Sequence, residues 1–156
     1  YRDGALFWKV RTAKHFSDAR TREGFNKRSA GKPAFTYREV SGYYQGALLG
    51  KSFRLHLVVW ALHHGFWAKE IDHIDRDPSN NRIDNLRIAT HAQNGANVPK
   101  RRTNACGFKG VCRHQGRWMA RITSNGVGTY LGMFNTAEEA HEAYCVAARE
   151  AWGEFA

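Results

Sequence analysis

Apolar positions along the 156 residues come in short runs broken by charge, glycine and turn residues, and the runs fall into three segments. In the first, residues 5–10, 34–38 and 43–49 read as strands, and Gly50-Lys51 reads as a hairpin turn into a fourth strand over 52–56. Residues 14–33 are basic and contain Gly and Ser, so a long loop is expected between the first two strands. The second segment opens with the apolar stretch 56–63, expected as a helix that stops at Gly65. A short strand over 70–74, a turn-rich loop over 75–81 and a returning strand over 82–88 follow. Thr90 with Gln93 three positions later forms a capping-box pattern that starts a helix over 91–97. In the third segment three short strands (107–113, 116–122, 128–134) precede a helix beginning at Asn135-Thr136. Its Ala140, Ala143, Ala147, Ala151 and Tyr144 make a face that can lie close on a sheet.

The expected fold class is α+β: an N-terminal antiparallel β segment, a central ββα unit, and a C-terminal three-stranded antiparallel sheet packed on one helix. The expected divisions are 1–55, 56–98, a basic linker over 99–106, and 107–156.

Composition narrows the function classes. Lys and Arg exceed Asp and Glu by 24 to 14, a net charge of +10, which suits a polyanionic partner. An apolar share of 42% excludes a basic disordered tail. The longest apolar run, 57–62, is far short of the roughly 20 residues that a membrane span needs. The polar, charged start does not read as a secretory signal. Three cysteines with no C-x-x-C pair argue against a disulfide scaffold and leave no four-cysteine zinc site, so a reduced, intracellular setting is expected.

The charge is unevenly spread. No Asp or Glu occurs from Asn85 through Ala137, whereas Glu70, Asp72, Asp75, Asp77 and Asp84 crowd the stretch before it. Such an acidic knot is either a set of turn-forming residues or a metal site. A hairpin followed by a helix brings the end of one strand against the helix face, where Asp72 and Asn94 can each offer an oxygen. Oxygen ligands with positions left for water or phosphate suit Mg²⁺ or Mn²⁺. His73 alternates with Asp72 along the strand, so one residue can hold a metal while its neighbour takes a proton from water.

These residues resemble the HNH nuclease motif of the ββα-metal fold, in the variant found in phage and intron-encoded homing endonucleases. Asp72-His73 matches the family's D-H pair, Asn85 its central Asn, and Asn94 its third position. Residues 56–60 resemble its H-R-L-V-W lead-in, with Leu57 where Arg is usual. The resemblance implies hydrolysis of a DNA phosphodiester with one divalent ion, Mg²⁺ or Mn²⁺, held by Asp72 and Asn94. His73 would act as general base, helped by an ordinary pKa near 6.5, and Asn85 would bridge the hairpin loop and orient that base. Many relatives brace the motif with zinc on two C-x-x-C pairs. None exists here, so no structural zinc is expected, and Trp60, Phe66, Trp67, Ile71, Leu86 and Ile88 are expected to hold the unit by packing.

The words G-F-K-G-V, R-W-x-A-x-I, Y-L-G-x-F and T-A-E-E-A-x-x-A-Y, together covering about 107–150, are similar to the plant APETALA and ethylene-response-factor DNA-binding domain. That similarity implies a β-sheet reader of duplex DNA. Lys109, Arg113, Arg117, Trp118 and Arg121, with Lys100, Arg101 and Arg102 in the linker, are the expected contacts; Trp118 reads equally as core. The N-terminal cations read either as a further DNA-contacting sheet or as a solvated face.

The expected partner is double-stranded DNA, with no membrane, for a monomer or weak dimer in the cytoplasm of a bacterial host if phage-encoded. A single site implies nicking, and double-strand cleavage needs dimerisation or sequential cuts. The alternative is a non-catalytic, sequence-specific DNA-binding regulator with a degenerate scaffold.

Overall fold

A computed structural model describes residues 1–156 except 49, 99–103, 105 and 125. The fold is α+β and divides into two compact units, Tyr1–Ile88 and Ala89–Ala156.

In the first unit β1 (Leu6–Phe7) pairs antiparallel with β2 (Pro33–Ala34), Leu6 opposite Ala34. A second antiparallel sheet holds β3 (Tyr37–Arg38), β4 (Tyr44–Leu48) and β5 (Lys51–Arg54) in that order. Helix α2 (Leu55–His64) follows β5 directly and buries Leu55, Val58, Val59 and Trp60. Burying each such side chain favours folding by about 2 kcal/mol. The helix ends where the pattern places its stop: Gly65 takes the left-handed φ of 77° and donates its N–H to the Ala61 carbonyl at 3.0 Å. Strands β6 (Ile71–His73) and β7 (Leu86–Ile88) form an antiparallel pair. Their Ile71 and Leu86 close the core with Leu6, Ala34, Phe35 and the buried face of α2.

Two expectations fail in this unit. Residues 14–33 contain an eleven-residue helix, α1 (Ala19–Ser29), where a loop was expected. It buries no residue, so the apolar stripe that signals a helix is missing. Its start is instead fixed by Asp18, whose Oδ1 accepts the Thr21 N–H at 2.8 Å. Of the expected packing residues, Trp60, Ile71 and Leu86 are buried, but Phe66, Trp67 and Ile88 are about half exposed, at 49%, 53% and 51%. Phe66 and Trp67 fall beyond the Gly65 turn, where Trp67 stacks on Phe53 and Phe66 meets the Trp60 ring. Ile88 is the last residue of β7.

The second unit starts with α3 (His91–Asn97), capped by the Thr90–Gln93 box. Strands β8 (Val111–His114), β9 (Arg117–Ser124) and β10 (Val127–Phe134) form an antiparallel sheet in the order β10-β9-β8. Helix α4 (Ala137–Trp152) begins at a second capping box, Thr136 with Glu139, and lays Ala140, Tyr144 and Ala148 on Val111, Ala120 and Ile122 of the sheet. The small residues let helix and sheet approach closely. A bulge between Tyr130 and Gly132 leaves Leu131 out of the pairing register, and Leu131 packs toward α4.

Candidate active site

The β6–β7 register sets the two faces of the hairpin: Asp72 lies opposite Arg87, and His73 opposite Leu86. On one face Arg87 donates to Asp72 Oδ2 from Nε and from Nη2, each at 2.9 Å. Both side chains are largely buried, which makes this a desolvated pair rather than a surface bridge.

On the other face His73 meets a second histidine. The rings of His73 and His56 are edge-to-face with centroids 5.1 Å apart, and Tyr43 lies against both, at 5.8 and 5.3 Å. His56, His73 and Asp72 are only 5%, 4% and 7% exposed. Burial pushes the His73 pKa below its ordinary value, opposed by the Asn81 hydrogen bond and by Asp75, Asp72 and Asp77 nearby. Burial acts more strongly on His56, pushing it down to about 3 with help from the charges of His73 and Arg54. Both imidazoles are therefore neutral at pH 7.

The tautomer of His73 follows from its neighbours. Asn81 donates its side-chain N–H to the Ser79 carbonyl at 3.0 Å, which turns its Oδ1 toward His73 Nε2 at 3.3 Å. An amide oxygen accepts, so Nε2 carries the proton and Nδ1 carries the lone pair that a general base needs.

The loop between the strands is held by Asn85. Its Nδ2 donates to Asp75 Oδ1 at 2.9 Å and to the Asn80 carbonyl at 2.8 Å, while its Oδ1 accepts the Asp75 N–H at 3.0 Å. Its backbone carbonyl receives the Ile74 N–H at 2.9 Å. Asp75 and Asp77 accept further bonds from Asn80, Ser79 and backbone N–H groups. For Asp75 burial works to raise the pKa, but those bonds outweigh it and hold the carboxyl below its usual range; at Asp77 the bonds from Ser79 do the same. Much of the acidic knot thus consists of turn-forming residues.

Among the described residues no group of three or more His, Cys, Asp or Glu side chains is arranged to hold a metal. The donors that remain, the Asp72 carboxylate and the Asn94 amide, are hard oxygens, which fit Mg²⁺ or Mn²⁺ and not a thiolate-seeking ion. Asp72 belongs to the first unit and Asn94, on α3, to the second.

The expected DNA contacts divide. Arg113 and Trp118 are cross-strand partners on the face that α4 covers; Trp118 packs on the Val111–Ala120 core, and the Arg113 guanidinium lies 5.7 Å from its ring. Arg117 and Arg121 share the opposite face, with Met119 between them. Lys109 donates to the Ala96 carbonyl and, at 2.8 Å, to the Val98 carbonyl, so its ammonium sits at the C-terminal end of α3, where a cation is favoured. Lys100, Arg101 and Arg102 lie outside the described residues.

Three residues around the hairpin escaped the sequence reading of the site. His56 was visible as the first residue of the lead-in, Arg87 as the position facing Asp72 once the hairpin register is counted, and Asn81 only as one of several turn amides.

A buried Asp-His pair lies on a hairpin whose loop is tied by an Asn, and residues 53–96, which include all three, match the HNH endonuclease family model. The chain is 36% identical over 80 residues to Protein 3.8 of Escherichia phage T7, covering 49% of this chain and 66% of that protein. It is 34% identical over 124 residues to an uncharacterized HNH endonuclease of Acanthamoeba polyphaga mimivirus, covering 77% of this chain and 64% of that one. It thus spans slightly less than two thirds of both viral relatives. A stretch of 45 residues is 56% identical to an AP2-like ethylene-responsive transcription factor of Oryza sativa subsp. japonica, covering 26% of this chain and 7% of that protein. No solved structure matches. Among the described residues no helix is long and apolar enough to cross a membrane.

Proposed function

We propose that the chain is a divalent-metal-dependent endonuclease that hydrolyses phosphodiester bonds in duplex DNA, of the homing type. The observation that carries the reading is His73: a buried, neutral imidazole beside Asp72, with its tautomer set by Asn81. His73 Nδ1 takes the proton of the attacking water, and the lowered pKa keeps it in the base form at neutral pH. Asn85 holds the loop that carries Asn81 and so keeps the base oriented. Asp72 and Asn94 would hold the ion, which when bound supplies charge stabilisation at the scissile phosphate and leaving oxygen. Residues 107–156 act as an APETALA-like DNA-binding domain, with Arg117 and Arg121 on its open face. As a monomer or weak dimer with one site per chain, the enzyme nicks one strand per engagement, inside the host cell.

One observation favours a second reading, a DNA-binding regulator with an inert scaffold: Asp72 Oδ2 is engaged by Arg87. Incubation with phage or host genomic DNA and Mg²⁺ or Mn²⁺, beside His73→Ala and Asp72→Ala, separates the two. Metal-dependent cleavage by the unaltered chain, lost in both variants while DNA binding persists, supports the nuclease. Binding without cleavage on every such substrate supports the regulator.

A further inference from the structure

The cationic helix of the first unit has no role in the site described above. Between Lys9 and Lys32 the chain carries eight Lys and Arg against two carboxylates, Asp18 and Glu23. Helix α1, in the middle of that stretch, contributes nothing to the buried core. It is anchored along one side only. Phe25 packs edge-on against Trp8 at 5.7 Å, the Arg11 guanidinium lies over both rings at 4.8 and 4.5 Å, and Asn26 exchanges hydrogen bonds with the Arg11 backbone.

The free side carries Arg20, Lys27 and Arg28, all exposed, and among the described residues none of the three has an ion pair. Gly24 sits between them. The three atoms nearest a Cβ there all belong to the flexible Arg28 guanidinium, the first at 3.1 Å, and a helix interior disfavours a glycine.

From this we infer that α1 is a duplex-DNA-binding surface, lying in the major groove with Arg20, Lys27 and Arg28 on the phosphates. Eleven residues make a rod about 16 Å long, of a width that the B-form major groove admits and the narrow major groove of A-form RNA does not. The cations position the protein and read no sequence. Asp18 already fills the helix N-terminus, so the phosphates meet the side of the helix, not its end. The inference rests on the proposed reading for its choice of DNA as substrate, and it adds a contact surface separate from the C-terminal sheet.

The test is a binding titration of the full chain on a labelled mixed-sequence DNA duplex of about two to three helical turns, in EDTA, across NaCl concentrations. Replacing Arg20, Lys27 and Arg28 together by Gln is expected to lower the slope of log affinity against log salt by about 2 to 3, near 0.9 per phosphate contact. At 100 mM NaCl the loss should be about tenfold or more, with an unchanged far-UV spectrum. Glu23→Gln, which removes a like-charged competitor of the phosphates, is expected to bind more tightly, and it keeps the test sound if the triple variant unfolds. An unaltered slope in the triple variant, no gain with Glu23→Gln, or equal binding and equal loss on an RNA duplex overturns the inference. Because no metal or cleavage is involved, absence of nuclease activity alongside α1-dependent binding would sink the nuclease reading alone.

Discussion

The His56 imidazole stands edge-on to that of His73, with centroids 5.1 Å apart and planes at 82°. Its Nδ1 is buried with no hydrogen-bond partner among the described residues. The folded chain holds its pKa near 3, whereas the unfolded chain titrates near 6.5. The unfolded state thus binds more protons between those values. Stability is complete above about pH 6.5 and is lost as pH falls toward 3, by up to about 1.4 kcal/mol per pH unit from this group. His73, lowered in the same direction, adds to the same acid limb. His56→Phe is expected to flatten that limb without abolishing it, and to gain about 1 kcal/mol at pH 7 by removing an unsatisfied buried nitrogen. Urea unfolding at a series of pH values checks this; an acid limb as steep as in the parent chain overturns it.

Arg87 neutralises a carboxylate that is 9% exposed. Arg87→Met removes the guanidinium from beside that buried charge, at a cost of about 3 to 5 kcal/mol. Millimolar Mn²⁺ is expected to restore part of the loss, since the ion replaces the missing positive charge at Asp72. Asp72→Ala should show no such response to Mn²⁺. Thermal unfolding with and without the ion reads both; equal Mn²⁺ shifts in the two variants would remove Asp72 from the ligand set.

Asn85 makes three side-chain bonds that tie the ends of the loop together. Asn85→Ala is expected to cost about 2 to 4 kcal/mol. Asn85→Asp should be at least as damaging, because a second carboxylate would face Asp75 Oδ1 where an amide donor now sits. Single-turnover cleavage at saturating DNA should fall in both variants, as the Asn81 that fixes His73 loses its frame. A variant that unfolds more easily yet cleaves at the parent rate would make Asn85 purely structural.

What the sequence made legible follows from how local each signal was. The α2 stop at Gly65, the Thr90–Gln93 capping box, the start of α4 at Thr136 and the three C-terminal strands are specified within a few residues, and they sit close to where the pattern places them. Helix α1 was hidden because its anchor is one aromatic, Phe25, and a cap at Asp18, with no apolar stripe between. Phe66 and Trp67 read as core because aromatic content cannot show on which side of a turn a ring ends up. At the site, the Asp-His pair and Asn85 were carried by a resemblance. His56 and Arg87 needed the helix docking and the strand register, which are nonlocal facts.

Gly110 offers the sharpest test of the second unit. Its φ is 72°, and a Cβ there would fall 2.0 Å from Cδ2 and 2.4 Å from Cε2 of Tyr144. That ring is buried against Ile122 and Ala148 and cannot swing away as an exposed side chain would. Gly110→Ala therefore combines left-handed strain of about 1 kcal/mol with an overpacking cost of about 1 to 3 kcal/mol. Gly126 is the control: its φ is 79°, but among the described residues nothing outside its chain neighbours lies within 4 Å of the added carbon. Gly126→Ala should carry the strain alone. Urea unfolding of the two variants, followed by fluorescence and far-UV dichroism, is expected to show Gly110→Ala as the weaker by about 1 to 3 kcal/mol. Equal losses would mean that Tyr144 yields, and that α4 is held on the sheet more loosely than its contacts with Val111, Ala120 and Ile122 indicate.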